Sequence, residues 1–132
     1  MNYKDIILSI KQKKIEPIYF LCGEESYFID EITKTILKFT LTKEEKSFNQ
    51  IVLYAKDTNT EEIISEAKQF PFGSKKKVVI IKEAQHLKKI ENLINYFEKP
   101  QLSTVLVFEH KNKSIDKRKK ISKRIINRSI FF

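Results

Sequence analysis

Three stretches of this chain, at residues 18–22, 78–81 and 104–108, are apolar almost throughout: Ile-Tyr-Phe-Leu-Cys, Val-Val-Ile-Ile and Thr-Val-Leu-Val-Phe. A strand with one face in water alternates apolar and polar residues, because successive side chains point to opposite faces. Runs that do not alternate suit strands buried on both faces, as in a parallel sheet covered by helices. Residues 48–54 are more mixed and read as a strand nearer an edge. Strands are therefore expected near 17–22, 48–54, 78–82 and 104–108, with the first one central.

Helical periodicity fills the intervals. A short helix around Ile6, Ile7 and Ile10 comes first. Ser26 is placed to cap a longer one, with Asp30 and Glu31 in its first turn and Phe28, Ile32 and Ile36 on one face. Thr58 and Glu61 have capping-box spacing, and Ile63, Ala67 and Phe70 follow on one stripe, which makes Phe70 a core residue. Leu87, Ile90, Leu93, Ile94 and Phe97 predict another amphipathic helix, stopped by Pro100. Ser114 opens the last, with Ile115, Ile121 and Ile125 as its sparse apolar side. Residues 128–132 read as a strand, either cut short or finishing there as a fifth. Strands alternating with helices predict one α/β domain over 1–132: a three-layer parallel sheet flanked by helices.

In open sheets of this kind ligands bind at the carboxyl ends of the strands. The first such loop contains Gly23, Glu24, Glu25 and Ser26, where a phosphate loop of pattern G-x-x-x-x-G-K-[ST] would lie. Counted from Gly23, Phe28 replaces the second glycine, Ile29 the lysine and Asp30 the metal-binding hydroxyl. Glu24 and Glu25 would repel a polyphosphate. The loop is therefore a degenerate phosphate loop, and no nucleotide or other cofactor is expected. Lys82 follows the run at 78–81, where an ATPase of this plan usually has Asp. Glu83 reads as the start of the next helix rather than as a substitute.

Composition narrows the partners. The net charge is +9, and nine Lys or Arg against one acid fall between Lys111 and Arg128, so that segment carries most of the excess. Such a run is a solvated face, a phosphate contact or a subunit contact. It holds no aromatic platform for base stacking, and Lys117, Arg118, Lys119 and Lys120 are its densest part. Cys22, alone of its kind, reads as core and fits a reducing cytoplasm. Two His and one Cys without ligand spacing predict no metal site. No apolar run approaches the ~20 residues of a membrane span, and the N-terminus lacks the features of a secretory signal.

The segment Phe70, Pro71, Phe72, Gly73 is the most informative local feature. Pro71 ends the preceding helix and Gly73 permits a sharp turn. Phe72 fits neither the helix stripe nor the next strand, so it is either tucked under the loop or exposed to meet a partner.

Residues 17–31, with an apolar strand followed by Gly23-Glu24-Glu25 and the Asp30-Glu31 pair, resemble the opening of the bacterial DNA polymerase III delta subunit family. Residues 70–79 resemble its short apolar loop running into a basic-then-aliphatic strand, and residues 111–118 its Lys-x-x-x-x-Asp-Lys-Arg segment. The resemblance implies a fold of the AAA+ ATPase type without a working nucleotide site, and no enzymatic activity. It implies a clamp-loader subunit that binds the beta sliding clamp, helps open it during DNA replication and assembles with other clamp-loader subunits. The clamp-binding wedge falls on Phe70, Pro71, Phe72 and Gly73, and DNA contact is expected to be weak. The family continues into lid and collar domains that these residues do not contain. Two other readings are a basic nucleic-acid-binding regulatory domain and, more remotely, a nucleotide-binding phosphotransfer domain.

Overall fold

The computed structural model describes residues 1–112 and 114–132. In chain order the elements are α1 (Tyr3–Lys11), β1 (Ile18–Gly23), α2 (Ser26–Thr40), α3 (Lys46–Asn49), β2 (Gln50–Tyr54), α4 (Thr60–Lys68), β3 (Lys77–Lys82), α5 (Ile94–Glu98), β4 (Thr104–Lys111), α6 (Lys120–Arg128) and β5 (Ile130–Phe131). The strands form one sheet in the order β2-β3-β4-β1-β5, and every pairing is parallel. Ile18 lies opposite Leu106, so the first and fourth strands pair as a crossover fold requires. The first strand is interior, but the middle of the sheet is β4. The terminal residues do supply a fifth strand, beside β1.

Each face carries its own core, which is why the strand runs do not alternate. On one side Ile18, Phe20, Val79, Ile81, Leu106 and Phe108 pack under α4, α5 and α6. On the other, Tyr19, Leu21, Val78, Ile80, Val105 and Val107 pack under α1 and α2. No helix among the described residues is long and apolar enough to cross a membrane.

Several local expectations fail for physical reasons. The second strand starts at Gln50, because residues 46–49 close a short helix and leave Phe48 exposed. Glu25 caps α2 through the Tyr27 N–H, at 3.1 Å, so Ser26 is already helical and Asp30 and Glu31 fall in the second turn. The buried stripe of α2 is Ile29, Ile32, Thr33 and Ile36; Phe28 lies beside it, against Tyr3 and Phe132. Asn59, not Thr58, caps α4.

The segment 84–98 is two 3₁₀ turns followed by the short α5, with Glu83 and Lys89 left-handed (φ 54° and 56°). Leu87, Ile90 and Leu93 are spaced by three, which a 3₁₀ turn of three residues satisfies as well as an α-helix. The last helix starts at Lys120, not Ser114. Asp116 accepts the Arg118 N–H at 3.0 Å, a local turn that competes with helix.

Candidate functional site

At the carboxyl end of the sheet, α2 begins three residues after Gly23. The chain swings from strand to helix through Glu24 and Glu25, which leaves no loop of backbone N–H groups to cradle a phosphate. Ile29, at the lysine position, is fully buried on the inner face of α2. Asp30, at the hydroxyl position, accepts a hydrogen bond from Lys111 Nζ at 2.7 Å. Lys111 projects from the end of β4, and its Nζ also lies 4.0 Å from Glu109.

Glu109 is fully buried. The Thr33 hydroxyl donates to its Oε2 at 2.6 Å, and Lys82 Nζ lies 3.1 Å from Oε1. Burial works against the Lys111 charge, but the Asp30 hydrogen bond and the charges of Glu109, Asp30 and Glu83 outweigh it and hold its pKa above the ordinary lysine value. Ion pairs thus join α2, β3 and β4 where a nucleotide would bind. Sequence reading noted Lys82 where an acid is expected and did not connect it with Glu109. That they meet follows from β3 and β4 being neighbours. The parallel register likewise sets Cys22 opposite His110, with Sγ 3.6 Å from Nδ1, a partner the sequence did not indicate. Burial pushes the Cys22 thiol up, away from a nucleophilic thiolate.

The amino end is built differently. The last carbonyls of a helix lack partners within it. Here the buried Lys77 ammonium takes the Glu66 carbonyl, and also lies 3.3 Å from the Glu66 carboxylate. The Thr104 hydroxyl takes the Ala67 carbonyl at 2.6 Å. These bonds tie the end of α4 to the first residues of β3 and β4. The residue before a proline is disfavoured in helix, so the chain leaves α4 before Pro71. Phe70, expected in the core, is therefore 78% exposed, at the rim of a cavity of about 770 Å³ shared with Ile64, Tyr96 and Pro100.

Phe72 is 71% exposed, and Gly73 turns the chain at φ +65°. The Phe72 backbone is fixed at both polar atoms by Asn49, as donor at 2.8 Å and acceptor at 2.7 Å. Its ring meets that of Phe48, also exposed, with centroids 5.4 Å apart. Sequence reading placed Phe72 on the loop but missed Phe48 and Asn49, which it had assigned to a strand.

Lys117, Arg118 and Lys119 stand exposed between β4 and α6, and Lys120, also exposed, opens α6, at the carboxyl end and away from Phe72. Arg118 pairs with Asp116 at 3.1 Å. Further along α6, Arg124 and Arg128 both pair with Glu98 of α5, at 2.7 and 2.9 Å. Part of the basic segment is thus committed to holding α6 in place.

An all-parallel sheet in the order 2-3-4-1-5, with a two-residue turn and an ion network in place of a phosphate loop, defines an AAA+-like domain without the phosphate-loop residues. The family model for the DNA polymerase III delta subunit matches residues 19–132, and the chain belongs to that family. It is 30% identical over 129 residues to the DNA polymerase III subunit delta of Bacillus subtilis, covering 90% of this chain and 37% of that protein. The solved DNA clamp loader delta protein of Bacillus subtilis superposes with a TM-score of 0.87 at 26% identity, over 98% of this chain and 41% of that one. A DNA polymerase III gamma subunit-related protein from Thermotoga maritima shares the fold, with a TM-score of 0.66 at 14% identity, over all of this chain and 45% of the other. The chain thus spans less than half the length of each of these relatives.

Proposed function

We propose that this chain is the part of a clamp-loader delta subunit that binds the beta sliding clamp and helps open it, and that Phe72 is the anchor. One observation carries the reading: a large apolar ring stands in water on a loop whose backbone is fixed at both ends. An exposed phenylalanine that contributes nothing to the core is a cost to solubility unless a partner covers it. Fixing the loop beforehand lowers the entropy lost on docking. Pro71 and Gly73 flank the contact, and Phe70 stands at its edge. No catalysis is proposed for the chain, and the other clamp-loader subunits are its proposed neighbours in the assembled loader. A second reading, weak and salt-sensitive DNA contact through Lys117, Arg118, Lys119 and Lys120, is favoured by the exposure of that run.

The test is a titration of the chain against the cognate sliding clamp. A buried aromatic anchor contributes about 2 kcal/mol or more, so Phe72→Ala is expected to weaken binding about thirty-fold or more. Its melting temperature should match that of the parent. Unchanged affinity would defeat the proposal. Charge reversal at the four basic positions should leave clamp affinity within about threefold while abolishing DNA binding at low salt.

A further inference from the structure

Asn49 closes α3 and is 1% exposed. Its Nδ2 donates to the Glu45 carbonyl at 2.9 Å and to the Phe72 carbonyl at 2.7 Å, while its Oδ1 accepts the Phe72 N–H at 2.8 Å. The two bonds to Phe72 reproduce with a side chain the exchange that two residues make across an antiparallel ladder. A buried amide directed at its own helix and at a residue 23 positions away locks two segments together. The ring of Phe72 lies outside the core, so fixing its backbone improves no core packing. What the bonds fix is the direction of the ring. They also fix its neighbour, since Phe48 precedes Asn49 and is carried to within 5.4 Å of Phe72, with the rings tilted by 56°.

We infer that Asn49 is a positioning residue that holds Phe72 in its presenting orientation, and that Phe48 is the second ring of the same contact. The clamp then meets a two-ring aromatic face assembled from α3 and the loop before β3. The inference rests on the reading of Phe72 given above. Aromatic rings have few rotatable bonds, so a pair held by its backbone loses little freedom on docking.

A double-mutant cycle on the whole chain, read as affinity for the sliding clamp, tests this. Phe48→Ala is expected to weaken binding about fivefold, and Asn49→Ala about tenfold with a cooperative unfolding transition retained. In the Phe72→Ala background the effect of Asn49→Ala should shrink to less than about twofold, because Asn49 acts through that ring. Amide hydrogen exchange at Phe72 should speed up in Asn49→Ala while β3 keeps its protection. If Asn49→Ala fails to fold, Asn49→Ser, whose shorter side chain cannot span both Phe72 groups, takes its place in the cycle with the same expectations.

Parental affinity in Asn49→Ala, or an undiminished effect in the Phe72→Ala background, overturns the positioning role. Parental affinity in Phe48→Ala overturns the two-ring contact. In these cases Phe72→Ala still binds weakly. If Phe72→Ala itself binds like the parent, the failure belongs to the functional reading instead.

Discussion

The two ends of the sheet solve opposite problems with the same backbone. At the carboxyl end, where an open α/β sheet offers a ready site, the groups at the nucleotide position are turned inward: Ile29 into the core, Asp30 onto Lys111, Glu109 onto Thr33 and Lys82. At the amino end, polar groups that could have been left to water are spent on holding a loop, so that apolar rings can face outward. One end is closed by charge and the other opened by hydrophobicity. A fold built around a ligand pocket can therefore lose the pocket and retain its rigidity, provided internal ion pairs replace the ligand.

The contrast can be broken most sharply at Ile29. Ile29→Lys restores the lysine of a phosphate loop but places an unpaired charge in the core between α1 and α2, at an expected loss of about 3–5 kcal/mol. Denaturant unfolding measures it. A stable variant that also binds ATP would mean that the carboxyl end is a dormant site rather than a closed one.

Glu109→Ala probes the ion network that closes it. Removing the carboxylate leaves the Thr33 hydroxyl and two ammonium groups facing each other, at an expected loss of about 2–3 kcal/mol. Clamp affinity should be unaffected, since the network lies across the sheet from Phe72. A Glu109→Ala protein with parental stability would show that the network contributes nothing to closure.

At the amino end the expected stability effects are small. Phe70→Ala should change stability by less than about 0.5 kcal/mol, because the ring is 78% exposed. Phe97→Ala, which removes a ring buried on the α5 side, should cost about 3–5 kcal/mol. Melting curves of the pair decide whether the rings at the amino end are structurally idle.

The smallest effect concerns pH. Glu45 and Thr42 close the turn before α3 reciprocally, the Thr42 N–H donating to the Glu45 carboxylate at 2.8 Å and the Glu45 N–H to the Thr42 hydroxyl at 3.2 Å. Bonds from the Thr42 backbone and the Ser74 hydroxyl hold the Glu45 carboxyl below its ordinary value of 4.5. Its contribution is complete above pH 4.5 and is lost as the pH falls through the depressed folded-state value. Glu45→Gln should therefore flatten a small part of the acid limb of the stability profile. The residue is partly exposed, and a variant profile superposable on the parent's would assign this turn no role in stability.

Much of the architecture was legible because burial on both faces writes itself into composition. Residues 18–21, 78–81 and 104–108 could be little else than central strands, and the failed phosphate loop was visible at Phe28, Ile29 and Asp30. What escaped depends on pairs far apart in the chain. Phe70 sits at helical spacing from Ile63 and Ala67, so its pattern gives a core residue; only the backbone preference before Pro71 removes it from the stripe. Asn49 and Phe48 looked like the start of a strand because Phe48 is aromatic and Ile51, Val52 and Leu53 follow. Nothing local announces a bond to Phe72. Glu109 lay at the end of an apolar run, and its burial depends on Thr33 and Lys82 arriving from two other elements, beside Lys111 of its own strand.

The strand order also bears on how the chain is made. Both partners of β1 lie late in the sequence, since it pairs only with β4 and β5, while β2 and β3 can join as soon as they emerge. Some 88 residues separate Cys22 from His110, so a ribosome adding 5–20 residues per second leaves the most apolar strand unpaired for on the order of ten seconds. During that interval a run such as Ile18-Tyr19-Phe20-Leu21 is an open edge available to other nascent chains. The nascent protein is thus most vulnerable to aggregation before β4 is complete, and a slow stretch of translation would be safest after residue 111 rather than before it.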